Sequence, residues 1–418
     1  MTGSISTHVQ SERAEAGAER APAPPSAAIL RNDAEALLAA RRLAEKAAAG
    51  AAHRDRTRQL PRREVEEFSA SGLGSITIPR VYGGPQLSFV TLAEVFRLIS
   101  AADPSLGQIP QSHFGILALL EAAADEPLKR RIYAAVLAGA RIGNSGPERD
   151  SKHTLDMRAR LTRDGDGYRL TGTKFYSTGA LFAHWISAKA IDDDGRPVLA
   201  LLPLGTPGVT IVDDWSGFGQ RTTASGTVVF ERAPVAAANV VPLTRLSERP
   251  TLQGATSQLM QAAIDAGIAR AALEDTIAFV RSRSRPWIDA KVERAGDDPY
   301  VIADIGRLQI DLHAAEALLR KAAELLDRTA AGPIDAAAAA RASIAVAEAK
   351  VLSTEIALQA SEKLFELAGA RATLAEHNLD RHWRNARTHT LHDPVRWKYH
   401  AIGNYRLNGT PPARHSWI

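Results

Sequence analysis

The segment MRARLTRDGDGYRLTGTKFYS, residues 157–177, decides the fold class of this 418-residue chain. Apolar and polar residues alternate on both sides of the run Asp-Gly-Asp-Gly at 164–167, a pattern typical of two strands joined by a tight turn. Further strand candidates, bounded by Gly and Pro, follow at 196–204, 208–215 and 225–235. The sequence therefore predicts a small, mostly antiparallel β domain.

Helical patterns lie on both sides of this β region. Apolar residues recur at helical spacing from Asp33 onward, and long Ala- and Leu-rich segments at 252–284, 300–329, 334–368 and 376–392 are typical of a helix bundle. The predicted fold is mainly α with an inserted β domain, and because strands and helices do not alternate, a doubly wound nucleotide fold is disfavoured. The predicted units are a disordered tail (1–31), an N-terminal helical domain (32–140), a central β domain (141–245) and a C-terminal four-helix bundle (246–418).

Composition excludes several classes of protein. The chain has no cysteine, which rules out disulfides, thiolate zinc sites and a cysteine nucleophile. The formal net charge is only +4 and the basic residues form no run, so we expect no nucleic-acid partner. No uninterrupted apolar run is long enough to span a membrane, and the first 30 residues lack the layout of a signal peptide. We expect a cytoplasmic protein without a membrane partner.

The segment RNARTHTLHDPVRWKYH, residues 384–400, places His389 and His392 three residues apart. A metal site is a weak interpretation, because no partner helix repeats the Glu-x-x-His pattern of bundle metal sites. A solvated or hydrogen-bonded helix end is a second interpretation. In a third, Pro394 ends the helix close to His392, and a helix C-terminus favours a protonated imidazole that can donate a proton.

Five segments, taken in order, are similar to motifs of the acyl-CoA dehydrogenase superfamily. They are GLGSITIPRVYGG (72–84), AADPSLG (101–107), GYRLTGTKFYSTG (167–179), FGQRTTASGTVVFERAPV (218–235) and ARTHTLHDP (386–394). Within the superfamily, SRPW (284–287), DDPY (297–300), RNARTHTLHDPV (384–395) and IGNYRLNG (402–409) resemble the flavin-dependent monooxygenases of the dibenzothiophene monooxygenase and sulfur-acquisition type. The resemblance implies an acyl-CoA dehydrogenase fold with N-terminal helices, a central β-barrel domain and a C-terminal four-helix bundle.

The resemblance also implies a chemistry. Such enzymes take reduced flavin, here expected to be FMN with FAD possible, from a separate reductase. They react it with O2 to a C4a-hydroperoxide and oxygenate a small apolar, typically organosulfur, substrate. A homotetramer is implied as well. Two alternatives stay open: an FAD-dependent acyl-CoA dehydrogenase using Asp393, which aligns with that family's glutamate base, and a non-catalytic flavoprotein.

The flavin-facing residues are carried over from matching motifs. Tyr176, Ser177 and Thr178 match the hairpin that lies against the flavin, Trp215 matches an aromatic wall, and Asn144 matches a position that contacts flavin or peroxide. The alternatives are an ordinary turn, a core tryptophan and a helix-terminating asparagine. Arg283, Arg285 and Arg371 match cationic contacts to the flavin phosphate, in this fold offered to a neighbouring subunit, with solvated surface arginines as the alternative.

The catalytic assignment rests on two histidines that match pocket positions of the monooxygenases. We expect His392 to stabilise or protonate the flavin hydroperoxide, with His113 and Thr178 as polar neighbours. His389 is expected to lie behind His392 and to support the cofactor site. No metal is expected.

Overall fold

The computed structural model describes residues 26–153 and 155–418. Most of the predicted tail, residues 1–25, lies outside the described residues. Two residues of the rest of that tail contact the helices: the backbone N–H of Ala28 donates to the carbonyl of Ala70 at 2.9 Å, and Leu30 is buried. The prediction that order begins near Asn32 is therefore corrected, since the chain is already held to the protein at Ala28 and Leu30.

Six helices form the N-terminal part. Asn32 caps the first helix, because its side chain accepts from the backbone N–H of Glu35. Asp103 caps the short fourth helix and also binds the buried Arg54 of the first helix at 2.8 Å, which ties the two helices together. The helices are α1 (Asp33–Thr57), α2 (Arg62–Ala70), α3 (Phe89–Ala102), α4 (Pro104–Gln108), α5 (Gln111–Ala123) and α6 (Glu126–Leu137).

A sheet of eight strands follows. The strands are β1 (Ile142–Ser145), β2 (Arg160–Asp164), β3 (Gly167–Lys174), β4 (Trp185–Asp192), β5 (Pro197–Pro203), β6 (Val209–Val212), β7 (Thr227–Ala236) and β8 (Val240–Pro242). The predicted hairpin is confirmed, with Asp164 paired to Gly167 across the turn. The strand order is β6-β7-β3-β2-β4-β5-β8, and β1 pairs with β4. The sheet is mostly antiparallel, as predicted, although β1 and β2 each run parallel to β4.

The C-terminal part is helical again. The helices are α7 (Arg245–Glu248), α8 (Gln253–Ser282), α9 (Pro299–Ala330), α10 (Ala336–Ala368), α11 (Asp380–His389) and α12 (Arg396–Asn408). Helix α8 packs against α3, α9 and α10 and is buried almost all round for its first four turns. Polar residues on those turns therefore cannot reach water and depend on partners inside the protein.

The sheet and the helical bundle meet at the loop between β6 and β7. A Cβ added to Gly219 would lie 1.8 Å from the backbone oxygen of Arg384 in α11, so only glycine allows this approach. The loop therefore contacts α11, the helix that ends at His389. Among the described helices, none combines the length and the apolar character that crossing a membrane requires.

Candidate functional site

The segment after β3 brings four of the predicted flavin-facing residues together. Tyr176 has a left-handed backbone (φ 55°) and a ring that is 49% exposed. The Asn144 side chain donates to the Tyr176 carbonyl at 3.3 Å, and its backbone N–H donates to the Thr178 carbonyl at 3.1 Å. Ser177 is held by its N–H, which donates to Gly226 O at 3.2 Å. Strands β1 and β3 and the start of β7 therefore converge here.

Trp215 completes this cluster from the loop before β7. Its ring centroid lies 6.1 Å from that of Tyr176, and its Nε1–H donates to the Gln220 carbonyl at 2.8 Å. Gln220 and Ala224, like Tyr176, have positive φ angles of 51° and 48° without being glycine. Strained backbone of this kind concentrates at functional sites, because the surrounding structure must hold it in place.

A chain of hydroxyl groups runs beneath this cluster. Thr178 Oγ1 lies 2.6 Å from Ser225 Oγ, which lies 2.8 Å from Thr223 Oγ1, and Thr223 donates to the Gln220 carbonyl at 3.0 Å. Sequence reasoning missed Ser225 and Thr223. The signal was the hydroxyl-rich run TTAS at 222–225, which lies within a motif that pointed to the superfamily.

Several buried polar atoms around the cluster have no hydrogen-bond partner among the residues described. They are Ser145 Oγ, Ser177 Oγ, Gln220 Oε1 and Arg221 Nε. Unpaired buried polar atoms are rare in native proteins, and a group of them beside an exposed aromatic ring fits a polar, planar ligand. The residues present therefore fit a flavin, whose ring needs hydroxyl and backbone donors and an aromatic wall.

The three predicted phosphate-binding arginines lie elsewhere. Arg371 Nη1 donates to the Arg283 carbonyl at 2.9 Å, which places these two side by side at the end of α8, and Arg285 follows two residues later. All three are exposed. Within the described chain, none of them hydrogen-bonds to the Tyr176 cluster, by which we mean Asn144, Tyr176, Ser177, Thr178 and Trp215.

His392 and Asp393 form a pair at the end of the loop after α11. Asp393 Oδ1 lies 2.9 Å from His392 Nδ1, and the buried Lys398 Nζ lies 2.8 Å from Asp393 Oδ2. Burial opposes ionisation of Asp393, but the hydrogen bond from His392 and the charges of Lys350, His392 and Lys398 hold its pKa well below the usual range. An ionised Asp393 accepts from Nδ1–H, which leaves His392 Nε2 as the reactive nitrogen.

A cavity of about 530 Å³ opens beside this pair. His392 reaches it with a side chain that is 34% exposed, and Nε2 has no hydrogen-bond partner in the part of the chain that the structure describes. The other walls are α12 and the C-terminal segment, and they contribute Trp397, His400, Pro411, His415 and Trp417. The C-terminus is anchored where Lys398 donates to the Trp417 carbonyl and Gln258 donates to the Ser416 carbonyl.

His389 is fully buried behind this cavity. Its Nδ1 lies 2.5 Å from Asp265, which also binds Lys350 at 2.5 Å and Thr354 at 2.9 Å, and its Nε2 lies 3.1 Å from Gln108. Burial lowers the pKa of His389, although Asp265 opposes this. His389 is thus part of a closed network that links α8, α10 and α11. The described residues contain no cluster of three or more possible metal ligands.

His113 does not join the site as predicted. It is 2% exposed, its Nε2 lies 2.8 Å from the Gly74 carbonyl, and its Nδ1 accepts from the backbone N–H of Ile142 at 3.1 Å. Burial lowers the pKa of His113 to about 4, so the ring is neutral at pH 7. Both nitrogens are occupied by backbone groups, so neither is free to act as the polar neighbour of His392 that the resemblance implied.

Comparisons with known proteins identify the family of this chain. Residues 33–140 match the acyl-CoA dehydrogenase N-terminal domain, and residues 259–397 match the acyl-CoA dehydrogenase C-terminal domain. Dibenzothiophene monooxygenase of Rhodococcus erythropolis is 36% identical over 396 residues, which cover 91% of this chain and 95% of the relative. This chain is a monooxygenase of the acyl-CoA dehydrogenase superfamily. The predicted superfamily and its monooxygenase branch are confirmed.

Solved structures of monooxygenases share the fold. FMN-bound TdsC from Paenibacillus sp. A11-2 superposes with a TM-score of 0.87 at 33% identity, covering 92% of this chain and all of that protein. Methanesulfinate monooxygenase MsuC from Pseudomonas fluorescens superposes with a TM-score of 0.84 at 31% identity, covering 91% of this chain and 99% of that protein. The predicted arrangement of helices, sheet and helices is therefore confirmed for this monooxygenase.

Proposed function

We propose that this monooxygenase uses reduced FMN and O2 to oxygenate an organosulfur compound, with His392 as the catalytic residue. The observation that carries the proposal is the His392–Asp393 pair. An ionised carboxylate fixes the imidazole by Nδ1, and His392, whose Nε2 has no partner among the described residues, lines a cavity large enough for a small substrate. A histidine held in this way can donate or accept a proton from Nε2 without losing its orientation.

The same pair argues against a dehydrogenase. A catalytic base works best when its pKa lies near the working pH, and surrounding cations push the pKa of Asp393 in the opposite direction. Asp393 is also 4% exposed, with Oδ1 hydrogen-bonded to His392 and Oδ2 in an ion pair with Lys398. It is therefore a positioning residue in this proposal, and a proton abstracted from a substrate carbon would have no suitable acceptor there.

The flavin ring would lie against the Tyr176 cluster, defined as Asn144, Tyr176, Ser177, Thr178 and Trp215. When bound there, reduced flavin would supply the chemistry that activates O2. Thr178 holds its hydroxyl in the chain to Ser225, Tyr176 and Trp215 offer aromatic faces, and the unpaired Ser177 Oγ is available to the ring. FMN-bound TdsC supports FMN as the cofactor.

The phosphate of FMN would be bound by a second protomer. Arg283, Arg285 and Arg371 are exposed and remain apart from the Tyr176 cluster of their own chain, which supports the homotetramer that the resemblance implies. A separate reductase would supply the reduced flavin. The Rhodococcus relative and TdsC are dibenzothiophene monooxygenases, and MsuC is a methanesulfinate monooxygenase. These names support an organosulfur substrate.

Rapid mixing of the protein loaded with reduced FMN against O2 tests the proposal. We expect a transient absorbance band of a flavin hydroperoxide that decays faster when an organosulfur substrate is present. Anaerobic reduction of bound FAD by an acyl-CoA would contradict the proposal and favour the dehydrogenase. Failure to bind any flavin would favour the non-catalytic alternative.

A further inference from the structure

One face of α8 is lined by four buried polar residues. Gln258, Gln261 and Asp265 are spaced three and four residues apart, which places them in a row on one side of the helix, and Ser257, four residues before Gln261, lies at the edge of that row. The first of them, Ser257, accepts from the side chain of Gln111 in α5 at 3.1 Å. The row therefore faces α5 at its start and continues inward along the bundle.

The residues on either side of Gln261 in this row contact the catalytic segment. Gln258 Nε2 lies 3.5 Å from Asp393 Oδ1, and Asp265 Oδ1 lies 2.5 Å from His389 Nδ1. Because Gln261 is three residues from one and four from the other, its side chain emerges between them. This spacing directs Gln261 toward the 389–393 segment, whose His392 and Asp393 line the cavity.

Gln261 differs from its neighbours in having no partner. It is 0% exposed, yet neither Oε1 nor Nε2 has a hydrogen-bond partner among the residues described. Leaving a buried amide group unpaired costs roughly 1–3 kcal/mol, so such a group in a native core requires an explanation. Exchanging O and N of the amide does not help, since both atoms are unpaired. A bound molecule that pairs with the amide explains it.

We propose that Gln261 is a specificity-determining residue that donates a hydrogen bond from Nε2 to an oxygen bonded to the sulfur of the substrate, as in a sulfoxide or sulfinate. The inference rests on the proposed function. The other amide on this face of α8 is already paired, because Gln258 Nε2 donates to the Ser416 carbonyl. A sulfide lacks a comparable acceptor, so Gln261 would favour partly oxidised sulfur over the unoxidised compound.

The test compares two probes that differ by one oxygen, dibenzothiophene and dibenzothiophene sulfoxide, by calorimetric titration of the FMN-loaded protein. We expect Gln261→Leu to bind the sulfoxide about tenfold more weakly, because one neutral hydrogen bond is lost, and the sulfide with unchanged affinity. The control is Gln309→Leu, since Gln309 in α9 also has an unpaired amide nitrogen but lies outside this row. It should leave both affinities unchanged.

Thermal unfolding of the protein without probe provides a second measurement. Gln261→Leu removes an unpaired polar group, so its midpoint should equal or exceed that of the wild type. A clear drop would mean that Gln261 serves packing or a buried water, and would overturn the inference. Equal weakening for both probes, or for neither, would also overturn it. If the wild type fails to bind the sulfoxide the inference is wrong, and flavin binding in the same sample shows whether the proposed function survives.

Discussion

His113 and His392 are the same residue type, and the resemblance assigned both to the active pocket, yet the structure gives them opposite surroundings. Both ring nitrogens of His113 are hydrogen-bonded to backbone groups, of Gly74 and Ile142, and the residue is 2% exposed. In His392, Nδ1 is hydrogen-bonded to Asp393, Nε2 has no partner among the described residues, and the side chain lines a cavity. The contrast teaches that the partners of the two ring nitrogens, more than position in a motif, decide whether a histidine can move a proton.

Replacing His392 should have the largest effect. His392→Ala removes the proposed proton donor, and we expect the oxygenation rate to fall by about 100-fold or more, the usual contribution of general acid–base catalysis. Flavin binding should persist, because the Tyr176 cluster is untouched. Single-turnover oxygenation measures the effect, with His400→Ala as the control, since His400 lines the same cavity. An unchanged rate in His392→Ala would remove His392 from the mechanism.

Replacing His113 should instead affect folding. His113→Leu leaves the Gly74 carbonyl and the Ile142 N–H without partners, and we expect a loss of about 1–3 kcal/mol in the free energy of unfolding. The oxygenation rate per folded molecule should be close to that of the wild type. Denaturant titration and single-turnover rates on the same sample measure both quantities. A large rate loss at unchanged stability would restore the catalytic role that the resemblance implied.

The pH dependence of stability sharpens the comparison. Burial lowers the pKa of His113 to about 4, and burial likewise lowers the pKa of His184 to about 4, from an ordinary value of 6.5. Between pH 4 and pH 6.5, both histidines are protonated in the unfolded chain but neutral in the folded protein. The free energy of unfolding should therefore decrease as pH falls from about 6.5 to about 4, by up to ~1.4 kcal/mol per pH unit for each histidine, and be flat above that window.

The contribution of His113 can be isolated by unfolding His113→Leu across the same pH range. The change in its free energy of unfolding per pH unit should be smaller than that of the wild type by the contribution of one histidine, up to ~1.4 kcal/mol. Paired carboxylates act in a different window: partial burial raises the pKa of Asp275, but its bonds to His382 and Arg381 lower that pKa to about 2, so its stabilisation is lost only as pH falls below the usual value of 3.8. An identical slope in variant and wild type would contradict the buried, neutral state of His113.

The smallest effect should come from the chain end that helps to enclose His392. Deleting Trp417 and Ile418 removes a carbonyl partner of Lys398 and part of the cavity wall. We expect the oxygenation rate to fall, but by less than the ~100-fold that an ångström of misplacement can cost, since the His392–Asp393 bond remains. Steady-state rates at several substrate concentrations measure it, and an unchanged substrate affinity would show that the C-terminus does not shape the cavity.

Local sequence signals predicted most of the fold. The Asp-Gly-Asp-Gly turn located the β2–β3 hairpin to the residue, because turn geometry depends on a few adjacent residues. Helical periodicity located the long helices for the same reason, although α12 was missed. The structure also joins three of the predicted flavin-facing residues, Asn144, Tyr176 and Thr178, by hydrogen bonds, because neighbouring strands fix their relative positions.

The sequence by itself determined the order of helices and strands, the superfamily motifs and the candidate residues. Only the tertiary structure decided which candidates have a polar atom left free of hydrogen bonds and so able to react. His113 is paired to Ile142, 29 residues away, Thr178 to Ser225, 47 away, and His389 to Asp265, 124 away. The physical reason is that a polar side chain in the interior takes its chemistry from whichever groups folding brings within about 3 Å, and distance along the chain does not encode them.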